Sequence, residues 1–221
     1  MSEIPVQERL RLSEVYLSVQ GESSYAGVPC VFVRLTGCNL RCTWCDSEYT
    51  FTGGEHHSID DVVAQALSFG VPLIEVTGGE PLAQRQCIPL LQRLVDAGAQ
   101  VLLETSGSID IGPVPKEVGV ILDLKPPGSG EEDKNLWSNL DKLRPHHEIK
   151  SVIADRRDYE WTREILEREK LDERVAHVLL SPVWGQLEPK TLVEWMLEDR
   201  LKARLNLQQH KLIWPAAERG V

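Results

Sequence analysis

Apolar residues along the chain fall into short runs separated by amphipathic stretches. Residues 12–19, 30–35, 73–77, 100–104, 120–124, 148–153, 177–180 and 204–208 read as strands. Val118-Gly119-Val120-Ile121-Leu122 is almost continuously apolar, the pattern of a strand covered on both faces of a parallel sheet. Between the runs the apolar period lengthens to that of a helix. Residues 59–69 open on Ser58 with Asp61 three positions on, a cap signal, and place Val62, Val63, Ala66 and Leu67 on one face. Residues 86–97 carry Leu90, Leu91, Leu94 and Val95 at helical spacing, with Gly98 placed to stop the helix. Residues 159–170 and 190–203 complete the set. The alternation predicts an α/β fold on a mostly parallel sheet, open or closed into a partial barrel, with residues 1–221 as one domain.

Two segments interrupt this rhythm. Pro126-Pro127-Gly128-Ser129-Gly130-Glu131-Glu132-Asp133 and Ser181-Pro182-Val183-Trp184-Gly185 each follow an expected strand. In βα folds such loops build the active site, although each also reads as a plain turn.

Charge narrows the function. Lys and Arg number 24 against 34 Asp and Glu, a net charge of −10, which argues against a general nucleic-acid binder. No apolar run reaches the roughly 18–20 residues that span a bilayer, and residues 1–9 lack the basic-then-apolar pattern of a leader. A cytoplasmic protein without membrane contact is expected. In that compartment thiols stay reduced and clustered cysteines read as metal ligands.

Of the five cysteines, Cys38, Cys42 and Cys45 fall in Thr36-Gly37-Cys38-Asn39-Leu40-Arg41-Cys42-Thr43-Trp44-Cys45-Asp46, with spacing C-x3-C-x2-C. A complete electron-transfer [4Fe–4S] site wants four thiolates, and three leave one iron open to a substrate or cofactor. A zinc site with His56 or His57 as fourth ligand is the alternative at this point. Cys30 and Cys87 stand alone and read as small buried hydrophobes.

The cysteine segment resembles the cluster loop of the radical S-adenosylmethionine (SAM) superfamily, Trp44 before the last cysteine included. Thr77-Gly78-Gly79-Glu80-Pro81 after an apolar strand resembles the superfamily's Gly-Gly-Glu-Pro segment. The resemblance implies that Cys38, Cys42 and Cys45 each hold one iron of a [4Fe–4S] cluster. SAM would chelate the open iron and yield a 5′-deoxyadenosyl radical that takes a hydrogen atom from the substrate.

Further segments resemble the 7-carboxy-7-deazaguanine synthase family within that superfamily: Gln20-Gly21-Glu22, Arg34, Cys45-Asp46-Ser47, Glu104-Thr105-Ser106-Gly107, Asp123-Leu124-Lys125-Pro126 and Gln209-His210-Lys211. This implies an abbreviated partial (β/α) barrel and a homodimer. The implied reaction contracts 6-carboxy-5,6,7,8-tetrahydropterin to 7-carboxy-7-deazaguanine with loss of ammonia, a step toward queuosine and related 7-deazapurines. SAM would act catalytically, Mg²⁺ would assist, and a small protein such as flavodoxin would supply electrons. Carried over by position, Gln20, Gly21, Glu22, Arg34 and Thr77 hold the pterin and its carboxylate, and Ser47 ligates Mg²⁺. Trp44, Gly79, Thr105, Ser106, Asp123, Lys125 and Ser181 line the SAM site. The family pattern differs at Ser23, where Gly is frequent, and at Ser47, where Thr is frequent. A short tail follows Lys211-Leu212-Ile213-Trp214-Pro215, and Pro215 is the candidate C-terminal substrate contact.

Two other classes fit part of this. A small radical SAM activase that installs a glycyl radical on a partner would share the cysteine loop but not the Gln20–Glu22 turn beside Arg34. A non-enzymatic iron–sulfur or zinc module would leave the glycine pair and the polar strand ends unexplained.

Overall fold

The computed structural model describes residues 9–214 and 220. Among the described residues nine strands form one sheet: β1 (Arg9–Val19), β2 (Pro29–Leu35), β3 (Glu55–Ser58), β4 (Leu73–Gly78), β5 (Gln100–Thr105), β6 (Gly119–Leu124), β7 (Glu148–Ile153), β8 (His177–Pro182) and β9 (Arg204–Leu205). Their order is β3-β1-β2-β4-β5-β6-β7-β8-β9. The strands β2 and β4 to β9 run parallel, and β1 is antiparallel to both of its neighbours. This is the expected α/β class with a mostly parallel sheet, open at both edges.

Among the described residues six α-helices accompany the sheet: α1 (Ile59–Ser68), α2 (Cys87–Asp96), α3 (Arg156–Glu169), α4 (Leu171–Arg174), α5 (Pro189–Glu198) and α6 (Gln209–Ile213). Ser58 Oγ accepts a hydrogen bond from the Asp61 amide and Asp155 from the Asp158 amide, so α1 and α3 start where a side chain satisfies an open donor. Ile74, Val76, Leu103, Val120, Leu122 and Ile149 pack with Val62, Leu90, Leu94 and Ile165 in the main core. No α-helix lies between β5 and β6 or between β6 and β7. Ile111, Val114, Val118 and Leu140 from those connections enter the same core instead. The barrel is abbreviated because loop residues do the covering there.

Besides β1 and α3, which begin three residues before the expected 12 and 159, three elements differ from expectation. The strand β3 is Glu-His-His-Ser, too polar to show a strand period, and forms by pairing with Arg9–Leu12 of β1. The strand β9 stops at Leu205, because Asn206 and Gln208 turn their side chains to Ser181 and Glu22. Helix α5 stops at Glu198, where Arg200 turns left-handed (φ 52°) and Leu201 and Ala203 fold back onto Ile153, Leu180 and Leu192.

Candidate active site

Side chains alternate across a strand, and here the two faces diverge in chemistry. On the face away from the helices, Cys30, Phe32, Leu73, Leu102 and Ile121 form a small apolar floor. Two residues farther along each strand the same face carries Arg34, Glu75, Glu104 and Asp123. These C-terminal ends open onto a cavity of about 650 Å³.

The cysteine loop forms one wall, with Cys38, Cys42, Trp44 and Cys45 facing the cavity. Its backbone is anchored at several points. The Gly37 amide donates to the Thr50 carbonyl (2.7 Å), the Arg41 amide to Glu131 Oε1 (2.5 Å) and the Thr43 amide to the Ser129 carbonyl (3.0 Å). The Arg41 guanidinium lies 4.1 Å from the Phe51 ring centre and donates to the Cys38 and Leu40 carbonyls. The Pro/Gly/acidic loop after β6 thus serves as a brace for the cysteines.

Gly79 sits directly behind this loop. A Cβ there would stand 2.4 Å from the Gly37 carbonyl oxygen and 2.7 Å from Cys38 Cβ. The fully buried Glu80 carboxylate accepts bonds from Thr105 Oγ1 (2.9 Å), the Ser106 amide (2.7 Å), Ser106 Oγ (2.5 Å) and the Leu82 amide (2.9 Å). The Gly-Gly-Glu-Pro segment therefore joins the cysteine loop to Thr105 and Ser106.

The opposite wall is charged. Lys150 Nζ, on β7, donates to Glu22 Oε2 (2.7 Å) and Glu104 Oε1 (2.5 Å), and its side chain is 7% exposed. Burial alone would lower its pKa, but Glu104 and Glu22 reverse this and hold it well above the ordinary lysine value. Burial pushes Glu22 up, and the Lys150 ammonium and the Gln208 amide bring it below the usual range. Glu75, 1% exposed, is pushed up to about 8 by burial and then by Glu104. Gln20 Nε2 donates to Glu75 Oε2 (2.5 Å), and Gln20 Oε1 accepts from the Glu22 amide (2.5 Å), so Glu75 fixes the Gln20–Glu22 turn. Thr77 Oγ1 donates to Glu104 Oε2 (3.3 Å). Lys125 Nζ pairs with Asp123 Oδ2 (2.8 Å), and Asp123 Oδ1 is buried without a hydrogen-bond partner.

Helix α6 closes the cavity over Gly21. The Gln209 amide donates to the Gly21 carbonyl (2.8 Å), and a Cβ on Gly21 would meet His210 Nδ1 at 2.3 Å. Lys211 Nζ pairs with Asp46 Oδ2 (2.7 Å), and Gln208 Nε2 reaches Glu22 Oε1 (3.0 Å). The segment after the last cysteine is thereby tied to the Gln20–Glu22 turn.

The residues expected from the sequence converge on this cavity, with two exceptions. Ser181 is buried on β8 behind the wall, its Oγ accepting from Asn206 Nδ2 (2.8 Å), and does not line the cavity. Pro215 lies outside the described residues. Arg34 lines the cavity, but it also has an internal anion: Nε donates to Glu14 Oε1 (2.9 Å) and Nη2 to the Tyr16 hydroxyl (2.8 Å). Lys150 and Glu75 went unread in the sequence, where they look like single charges breaking apolar strands. That interruption, shared with Arg34 and Glu104, was the available signal.

The cysteines fit a cluster better than a single ion. Among the described residues, no three His, Cys, Asp or Glu side chains converge to hold one metal ion. His56 and His57 lie on β3 paired to β1 and do not line the cavity, so the zinc alternative lacks its fourth ligand. Three thiols on one loop with neither histidine beside them leave one position open, as a cluster with a substrate- or cofactor-binding iron requires. Burial raises the Cys38 and Cys42 thiols, so their deprotonation would accompany metal binding. The unpartnered Asp123 Oδ1 and the adjacent Lys125 ammonium leave polar capacity for a second ligand beside the cysteines.

The Radical SAM superfamily profile matches residues 32–127. A 7-carboxy-7-deazaguanine synthase of Koribacter versatilis is 47% identical over 226 residues, covering 96% of this chain and all of that protein. That of Chlorobaculum tepidum is 43% identical, covering 96% and 97%. The chain belongs to the 7-carboxy-7-deazaguanine synthase family. The crystal structure of QueE from Escherichia coli shares the fold, with a TM-score of 0.74 at 24% identity over 91% of this chain and 95% of that one. Membership in a radical SAM family brings the [4Fe–4S] cluster and SAM as cofactors. The cysteines, the Gln20–Glu22 turn, Arg34 and Lys150 all line the one cavity of this family member.

Proposed function

We propose that this chain converts 6-carboxy-5,6,7,8-tetrahydropterin to 7-carboxy-7-deazaguanine with release of ammonia. One observation carries the reading: three free cysteines and a set of fixed carboxylates and cations line one and the same cavity. Cys38, Cys42 and Cys45 would hold the cluster, and Trp44, Gly79, Thr105, Ser106, Asp123 and Lys125 the SAM. Bound there, the cofactors supply a radical able to remove a hydrogen atom from the substrate.

The chain's own residues bind and orient. Glu22 and Glu104 are acceptors for the amino and ring N–H donors of a pterin, and the Gln20 amide is held in place by Glu75. Arg34 offers its cation to the substrate carboxylate while Glu14 and Tyr16 hold the guanidinium plane. The Ser47 hydroxyl, 3.8 Å from Cys45 Sγ, is the protein oxygen proposed for Mg²⁺, with substrate oxygens and water completing the shell. The free thiols suit a reducing cytoplasm, and a flavodoxin-class donor and a homodimer belong to the same proposal.

The deciding experiment is anaerobic turnover of the reconstituted protein with SAM and a reductant, with and without the carboxy-tetrahydropterin. The expected result is 7-carboxy-7-deazaguanine and ammonia in equal amounts, dependent on both additions. Cleavage of SAM with no pterin-derived product would overturn the substrate assignment. A Ser47→Ala variant with the parent's Mg²⁺ titration curve would remove the Mg²⁺ ligand.

A further inference from the structure

Four neighbouring strands each present an ionisable side chain to the cavity: Glu75 on β4, Glu104 on β5, Asp123 on β6 and Lys150 on β7. Glu22 joins them from the turn after β1. Several charged groups of the cavity lining are balanced in pairs of their own. Asp123 is matched by Lys125, Asp46 by Lys211 and Arg34 by Glu14. What remains is a cluster of Glu22, Glu75 and Glu104 around the ammonium of Lys150, the cation that hydrogen-bonds both Glu22 and Glu104. The two carboxylates come from elements far apart in sequence, and Lys150 is bonded to both. Glu22 already accepts from Lys150, Asn206 and Gln208, and Glu104 from Lys150 and Thr77. Of the roughly four lone-pair sites on each carboxylate, those left over, more on Glu104 than on Glu22, can meet a donor-rich ligand edge.

We propose that Lys150 is a positioning residue for substrate: its ammonium balances Glu22 and Glu104 and sets the spacing at which they accept the N–H edge of the bound heterocycle. The proposal rests on the pterin reading above and adds to it the residue that makes the acidic side of the cavity a defined acceptor site. Gln208 and Asn206 assist from the C-terminal side by donating to Glu22, but both are neutral and cannot replace the charge.

Removing the ammonium leaves Glu22, Glu75 and Glu104 facing one another, a cost that a bound proton can relieve. The other groups that bear on this cluster are Asp123 with Lys125, Asp46 with Lys211, and His210 on α6. The cations of the first two are held in their own pairs. His210 is driven toward the neutral form by burial and gives no replacement cation near neutrality.

The experiment compares reconstituted parent, Lys150→Met and Lys150→Arg enzymes by kcat, KM for the carboxy-tetrahydropterin, SAM binding and melting temperature from pH 6 to pH 8.5. In Lys150→Met, kcat/KM is expected to fall by about 30-fold or more at the alkaline end. The loss should lie in KM and shrink as pH falls, because the added proton does the ammonium's balancing. SAM binding and iron content should stay at the parent's level. Lys150→Arg keeps the charge, but its planar fork cannot place both carboxylates as an ammonium does, so its KM should rise without acid rescue. A Lys150→Met enzyme whose KM matches the parent, or whose KM is raised equally at every pH, overturns the proposal. If Lys150→Met does not fold, a parent-like KM in Lys150→Arg overturns it. A parent enzyme that binds SAM yet does not turn over the pterin overturns the substrate reading and this inference with it, which separates the two failures.

Discussion

Gly79 and Cys38 are in such close contact that a single added methyl group would stand 2.7 Å from the cysteine Cβ. The backbone of Gly79 and Glu80 is also bonded forward and back, the Glu80 amide donating to the Gly37 carbonyl (2.8 Å). The glycine is therefore required by the cysteine loop itself, before any ligand is considered. Gly79→Ala should push Cys38 out of place. The expected outcome is a melting temperature lowered by overpacking of about 1–3 kcal/mol, together with a clear drop in iron per chain after reconstitution. A variant with the parent's iron content would show that the loop tolerates the shift.

The five cysteines should separate sharply. Cys38→Ala, Cys42→Ala and Cys45→Ala should each abolish SAM cleavage and lose most bound iron while remaining folded, since these thiols are only partly buried. Cys30 and Cys87 are fully buried in the apolar core. Their replacement by Ala should leave iron and turnover at parent levels and cost on the order of 1 kcal/mol of stability. Iron analysis and thermal melts on the five variants check both halves, and full activity in Cys42→Ala would sink the cluster assignment.

The cysteine and glycine segments of the cavity were more legible in sequence than its carboxylate–lysine cluster, for a physical reason. Cys38, Cys42 and Cys45 must sit on one short loop, so their spacing is local and readable. The same holds for Gly79 and Glu80. Lys150 and Glu104 lie 46 residues apart and meet only because β5, β6 and β7 are successive neighbours in a parallel sheet. No local pattern announces such a meeting. The edge strand β3 escaped notice because its polar residues form a strand only through pairing with β1. The reading of residues 204–208 as a strand failed at Asn206 and Gln208, where side-chain bonds to Ser181 and Glu22 replace continued sheet pairing.

Arg34 has one observed role, its pairing with Glu14, and one proposed role toward substrate, and mutation can divide them. Its Nε is engaged by Glu14 and its Nη2 by the Tyr16 hydroxyl, yet it still lines the cavity. Arg34→Lys cannot reproduce the fork. Loss of a buried charged hydrogen bond costs about 2–5 kcal/mol, so kcat/KM for the pterin should fall by about one to four decades while SAM binding persists. Glu14→Gln leaves the guanidinium in place and removes only its internal anion. That variant should lose melting temperature and keep KM within about threefold of the parent, a change worth under ~1 kcal/mol. If Arg34→Lys lowers only the melting temperature, the arginine serves Glu14 alone.

Glu75 gives the fold a pH dependence of definite sign. Its carboxyl is pushed up to about 8 in the folded chain, by burial first and Glu104 second, against an ordinary value of 4.5. Below pH 4.5 both folded and unfolded chains hold this proton, and Glu75 contributes no slope. Between 4.5 and about 8 the folded chain holds a proton that the unfolded chain has released. Stability must therefore fall as pH rises through that window, by up to about 1.4 kcal/mol per pH unit, and level off above it. Asp46 acts with the opposite sign and in a different range. Its carboxyl, resisting burial through its pair with Lys211, lies at about 2, so its contribution is lost only as pH falls below the ordinary value of 3.8. Glu75→Gln keeps an oxygen to accept from Gln20 Nε2 and carries no charge at any pH. Its unfolding free energy, measured by denaturant titration between pH 5 and 8.5, should decline less steeply than the parent's and exceed it at the alkaline end. Parallel curves for parent and variant would mean that Glu75 is ionised in the fold and that Lys150 neutralises three carboxylates at once.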